Sequence, residues 1–155
     1  MMGDSGKSNS YEQQQAELVV FELVQEWLIQ EYPTVRLQSN PKLFIGKSYI
    51  QPDFYSEENG IIGEIFVHIG KTKKAQENKI SNDILKMLLL EKVRGKTYRK
   101  IIVVCDDVME AKINGSSILA EYIRQFDVAV KRIYISDELR ENLIQAQDRQ
   151  KMVNW

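Results

Sequence analysis

Ile50-Gln51-Pro52-Asp53-Phe54-Tyr55-Ser56-Glu57-Glu58-Asn59-Gly60-Ile61-Ile62-Gly63-Glu64-Ile65-Phe66-Val67-His68-Ile69 is the stretch on which the fold of this chain turns. Two apolar runs, Ile50 to Tyr55 and Ile61 to Ile69, flank a polar segment that ends in Asn59-Gly60, and Asn-Gly is the strongest short-range signal for a β-hairpin. Taking Asn59 and Gly60 as the turn sets Glu58 opposite Ile61, Tyr55 opposite Glu64 and Asp53 opposite Phe66. Residues directly opposite share a sheet face, so Asp53, Tyr55, Glu64, Phe66 and His68 are expected on one side. Asp53 then lies diagonal to Glu64 at roughly 7–8 Å. Two carboxylates at that span can close on a cation that binds oxygen at about 2.0–2.6 Å. The expectation is sensitive to parity: an odd-length loop without a bulge sends the two acids to opposite faces.

Outward from the hairpin, helical and extended patterns alternate. Tyr11 to Glu31 reads as a helix, with Val20, Phe21, Val24, Trp27 and Leu28 at 3.6-residue spacing and Tyr32-Pro33 as its end. Glu17 falls within the apolar arc of that helix, which makes it a site component or a first-turn acid favoured by the helix dipole. Arg36 to Ser48 reads as an irregular strand broken at Asn40-Pro41. Lys73 to Val93 is a second helix closed by Gly95, and Arg99 to Asp106 is a β-branched strand buried on both faces. Ser116 to Gln125 is a third helix, Val130 to Ser136 a strand, and Asp137 to about Lys151 a last helix capped by Ser136 or Asp137. The order α-β-β-β-α-β-α-β-α predicts an α/β fold, a mixed β-sheet flanked by helices.

At 155 residues and 43% hydrophobic content, the chain is sized for one domain with a substantial core. That domain is expected over residues 11–155, with residues 1–10 a disordered tail of Gly, Ser and charge. The single cysteine, Cys105, excludes an internal disulfide and cannot alone supply a structural zinc site, and its apolar run assigns it to packing. With no membrane-length apolar stretch and no signal-peptide core, the expected location is the cytoplasm. Charge is segregated. Lys71 to Lys100 holds ten Lys or Arg against Glu77, Asp83 and Glu91, a net +7, so the remainder carries −8. Such a segment suits a phosphate-bearing ligand.

Several motifs fail on spacing. Gly3-Asp4-Ser5-Gly6-Lys7-Ser8 is too short for a phosphate loop, and Gly70-Lys71-Thr72 has Ile65 where the earlier glycine belongs. The only histidine is His68, and no Gly-x-Ser-x-Gly elbow is present.

Pro52-Asp53, Gly63-Glu64-Ile65-Phe66 and the helix-β-β-β-helix-β order around them resemble the PD-(D/E)XK nuclease superfamily, which has the restriction endonuclease-like fold. The resemblance covers most of the chain. It implies that Asp53 and Glu64 hold a divalent metal, Mg²⁺ with Mn²⁺ as a substitute, and that Glu17 is the glutamate lent by the first helix. The chain departs from the pattern two residues after Glu64, where Phe66 replaces the family's lysine. Some members carry that lysine on the following helix, which makes Lys79 the candidate catalytic lysine. Its other reading is a solvated or phosphate-contacting residue. Gln76 resembles a helix glutamine of some relatives. His68 stands as an accessory candidate or as a hydrogen-bonded residue at the sheet end.

The function implied is hydrolysis of phosphodiester bonds in DNA. Lys71, Lys73, Lys74 and Lys86 would hold the nucleic-acid backbone, which contributes affinity without sequence information. Specificity would come from a homodimer or a partner. The rival reading, favoured by Phe66, is a catalytically inactive domain of this fold that binds nucleic acid or a protein.

Overall fold

The computed structural model describes residues 10–153. The expected tail, apart from Ser10, and the Gly3 to Ser8 segment lie outside the described residues. Ser10 itself belongs to the fold: its hydroxyl accepts the Gln13 N–H at 3.1 Å and caps helix α1 (Tyr11–Ile29). The chain continues through β1 (Gln38–Ser39), β2 (Leu43–Ile45), β3 (Ser48–Ile50), β4 (Phe54–Ser56), β5 (Ile61–Phe66), α2 (Lys74–Arg94), β6 (Arg99–Val104), α3 (Asp107–Ile113), α4 (Ile118–Gln125), β7 (Val128–Arg132) and α5 (Asp137–Val153). Ser136 caps α5 by accepting the Leu139 N–H, and Gly95 ends α2 in the left-handed region at φ 66°.

This order corrects the expected one in three places. The irregular strand over Arg36 to Ser48 is two elements, β1 and β2, because Asn40 turns the chain at φ 51° and Pro41 has no N–H to donate. The strand expected over Ile50 to Tyr55 is likewise divided, since Pro52 cannot extend the ladder. An additional helix, α3, precedes α4. Its N-cap is Asp106, whose carboxylate accepts the Val108 N–H at 3.0 Å.

Five strands form a mixed sheet in the order β1-β4-β5-β6-β7, and β2 pairs only with β3. The pairs β1–β4 and β4–β5 are antiparallel, while β5–β6 and β6–β7 are parallel. Side chains alternate across it. Tyr55, Ile62, Phe66, Ile102 and Val104 face α2, α3 and α4, together with the inner side of the β2–β3 hairpin. Phe54, Ile61, Ile65, Ile101 and Val103 face α1 and α5. Cys105 packs in this second layer, where burial pushes its thiol up to about 12. No described helix is long and apolar enough to cross a membrane.

The β4–β5 register also differs from expectation. Tyr55 pairs with Ile62, and Phe54 with Gly63, so the pairing is displaced by two residues. The cause is a four-residue turn, Glu57 to Gly60, in place of a two-residue one. Ser56 Oγ accepts the Asn59 N–H at 3.2 Å and the Gly60 N–H reaches Glu57 O at 3.2 Å. Glu57 is further tied to Tyr98, Arg94 and Lys96 from across the sheet. A displacement of two preserves parity. Glu64 therefore keeps its side of the sheet, and Asp53, in the bend before β4, falls beside it rather than diagonal to it.

Gly63 sits under the Phe54 ring, where an added Cβ would lie 1.9 Å from Phe54 Cζ. Phe54 is fully buried and cannot swing away. Gly63→Ala is expected to destabilise the fold by about 1–3 kcal/mol through overpacking. Gly63→Ala combined with Phe54→Leu should recover part of that loss in urea titration. A lone Gly63→Ala as stable as the parent would contradict this packing.

Candidate functional site

At the C-terminal end of β5 lies a cleft of about 1010 Å³, bounded by the starts of α1 and α2 and by α5. Glu17, Asp53, Phe66, His68, Gln76 and Lys79 line it. Asp53 is held in place by the Ile65 N–H, which donates to its carboxylate at 2.7 Å. Glu64 lies beside Asp53 and is 8% exposed. The two carboxyls are within hydrogen-bonding reach of each other.

Burial acts on both members of this pair, and the Asp53 charge acts on Glu64. Desolvation first, then the charges of Asp53 and Asp83, lift the Glu64 carboxyl well above the ordinary range. Desolvation also raises Asp53, against the lowering effects of the Ile65 N–H, the Glu64 hydrogen bond and the Lys79 charge. Glu17 is raised by its own burial and by Asp53. The helix acid predicted from the apolar arc of α1 thus feels the sheet carboxylate across the cleft.

One acid of the site was not singled out in the sequence. Asp83, 3% exposed, occupies the buried face of α2 among Ile80, Ile84 and Met87. The signal was the same as for Glu17: an acid inside an apolar arc. Asp83 receives Lys79 at 3.3 Å and Lys86 at 3.6 Å. Partial desolvation pulls the Lys79 ammonium down, but the charges of Asp83 and Glu64 outweigh it and raise it. Lys79 Nζ also stands 5.4 Å from the centroid of the Phe66 ring, within cation–π range. The site therefore gathers Glu17, Asp53, Glu64, Asp83, Lys79 and Phe66.

The other predicted residues sit at the margin. Gln76 takes the Lys73 N–H on its side-chain oxygen at 2.7 Å and gives an amide hydrogen to His68 Nδ1 at 3.0 Å. An amide NH₂ only donates, so Nδ1 accepts and Nε2 carries the proton toward Lys71 O, 3.0 Å away. Both ring nitrogens of His68 are thus engaged by α2 and the loop before it. Lys71, Lys73 and Lys74 are exposed at the start of α2, and Lys73 lines the cleft. Lys86 is turned to Asp83.

As a donor set, Asp53 and Glu64 are hard oxygen ligands. No group of three or more His, Cys, Asp or Glu is arranged to hold a metal ion among the described residues. Two carboxylates nonetheless fit Mg²⁺, which commonly takes one or two of them and fills its octahedron with water and substrate phosphate.

Because the folded state binds the Glu64 proton more tightly than the unfolded chain, its contribution to stability is full below about pH 4 and is lost as pH rises through the raised value. Glu64→Gln, which keeps a hydrogen-bond donor toward Asp53, is expected to raise Tm at pH 7 in chelator and to leave it unchanged near pH 4. Equal Tm values at pH 7 would show that the pair carries no strain. Compared with known proteins, the chain matches no family model, no curated protein and no solved structure, so the site is read from its own residues.

Proposed function

We propose that this protein is a metal-dependent nuclease of the restriction endonuclease-like fold that hydrolyses phosphodiester bonds in DNA. The observation that carries the reading is the charge imbalance beside the cleft. Two adjacent carboxyls, half-buried Asp53 and buried Glu64, have raised proton affinity, and the neighbouring ammonium, Lys79, is already paired with Asp83. Such a pair is poorly compensated at neutral pH, and a divalent cation on Asp53 and Glu64 supplies the missing positive charge.

Held by Asp53 and Glu64, such an ion would supply Lewis-acid polarisation of a phosphoryl oxygen and a more acidic water molecule. Lys79 meets the task assigned to the family's lysine from a different backbone position. Its ammonium lies over the Phe66 ring, so the side chain at the usual lysine position is the floor on which the relocated lysine rests. There it offsets negative charge on the phosphate and orients the attacking water. Asp83 holds it from behind at 3.3 Å and keeps it protonated. Lys71, Lys73 and Lys74, exposed at the start of α2, meet the flanking phosphates. The inactive-binder reading is favoured by one observation, Phe66 itself.

Mg²⁺ titration and cleavage assays separate the two. Mg²⁺ is expected to raise the Tm of the wild-type protein and not that of Asp53→Ala or Glu64→Ala, and both substitutions should abolish cleavage of a DNA substrate. Lys79→Ala should lower turnover by about 10²-fold or more while leaving the Mg²⁺-induced Tm shift nearly intact. A wild-type protein whose Tm ignores Mg²⁺ and Mn²⁺, with strong salt-sensitive DNA binding and no cleavage, would establish the inactive binder instead.

A further inference from the structure

From Tyr32 to Pro52 the chain contains no acidic residue and three cations, Arg36, Lys42 and Lys47, in a protein with 22 acids overall. The β2–β3 hairpin lies in that stretch. Its inner side chains, Leu43, Ile45 and Ile50, are buried in the layer under α2. On its outer side Phe44 and Tyr49 are directly paired across the strands, with ring centroids 6.0 Å apart. They are 70% and 46% exposed. Lys42 Nζ stands 5.0 Å from the Tyr49 ring centroid, and Lys47 is exposed at the turn.

A cross-strand aromatic pair helps hold a hairpin together. That role does not require rings this open, nor cations on both sides of them without a single nearby acid in the sequence. Alternating π faces and cations is the composition that receives nucleic acid strands, with bases stacked on the rings and phosphates on the ammonium groups. The hairpin is also continuous with the cleft. Gln51 Nε2 donates to Asn40 O at 3.2 Å, which closes the neck of the hairpin; Asn40 and Asp53 both line the cleft.

We infer that the β2–β3 hairpin is a stacking platform for unpaired bases, on which Phe44 and Tyr49 hold a single-stranded segment of nucleic acid whose neighbouring phosphates enter the cleft. This rests on the nuclease reading for the destination of the strand, and it narrows the substrate to one with unpaired nucleotides beside the scissile bond. A duplex offers its base edges and not its π faces, so it gains little from the two rings.

The test measures fluorescence anisotropy of a labelled oligo(dT) strand with the full chain in chelator, so that no cleavage occurs. Phe44→Ala with Tyr49→Ala is expected to weaken strand binding by about tenfold or more and duplex binding much less. Phe44→Leu with Tyr49→Leu, which retains apolar area on the hairpin, should show the same loss, whereas Tyr49→Phe should bind as the wild type does. Lys42→Gln with Lys47→Gln should make the slope of log affinity against log salt shallower by about 1.4. Strand affinity unchanged in both aromatic double variants, equal losses for strand and duplex, or no strand binding by the wild type would each overturn the inference. So would conversion of a sedimenting dimer to monomer by the same substitutions, which would make the hairpin an interface between copies. An unchanged strand affinity bears on the hairpin alone, while loss of Mg²⁺-dependent cleavage in Asp53→Ala and Glu64→Ala bears on the nuclease reading.

Discussion

A single hydrogen bond, from the Ile65 N–H to the Asp53 carboxylate at 2.7 Å, fixes the geometry on which the site depends. It ties the bend after Pro52 to the end of β5, so that two acids eleven residues apart in sequence stand side by side. The same strand pairing is reinforced at its other end, where Glu57 is gripped by Tyr98, Arg94 and Lys96. Between these ends the absence of a side chain at Gly63 lets the Phe54 ring pack directly against β5. The antiparallel ribbon is thus clamped at both ends and packed tightly between them. Slippage by one residue would turn Glu64 to the opposite layer.

Holding the acids together is costly in the absence of a counter-charge, because burial disfavours ionisation of both and the Asp53 charge further disfavours that of Glu64. The protein offsets only part of this. Lys79 is the nearest cation, yet it is shared with Asp83 and opens to solvent, its side chain 66% exposed. Groups whose proton affinity is shifted by burial and by a specific charge gather at functional sites. Phe66 fits this picture as a support: it gives the Lys79 ammonium an aromatic surface on the cleft wall.

Much of this was legible in the sequence, for identifiable reasons. Strand and helix periods fixed α1, α2, β5 and β6 within a few residues, and the convergence of Asp53 with Glu64 survived because it depends on parity and not on the exact turn. The turn itself was misjudged. Asn59-Gly60 invited a two-residue loop, while Ser56 and Glu57 build a four-residue one through side-chain contacts that no local pattern announces. The divisions at Asn40-Pro41 and Pro52 lay in plain view but were read as a break within one strand and as part of a strand, respectively. Asp83 is masked by the net positive charge of its segment, although its place among Ile80, Ile84 and Met87 marks it as an inward-facing acid. The pairing of His68 with Gln76 and Lys71 depends on how α2 meets the sheet, which is set by tertiary packing.

The most direct measurement is the anomalous difference map of a crystal soaked in Mn²⁺. The account predicts a peak bridging the Asp53 and Glu64 carboxylates, with Lys79 Nζ still over the Phe66 ring. A map without density there would contradict it.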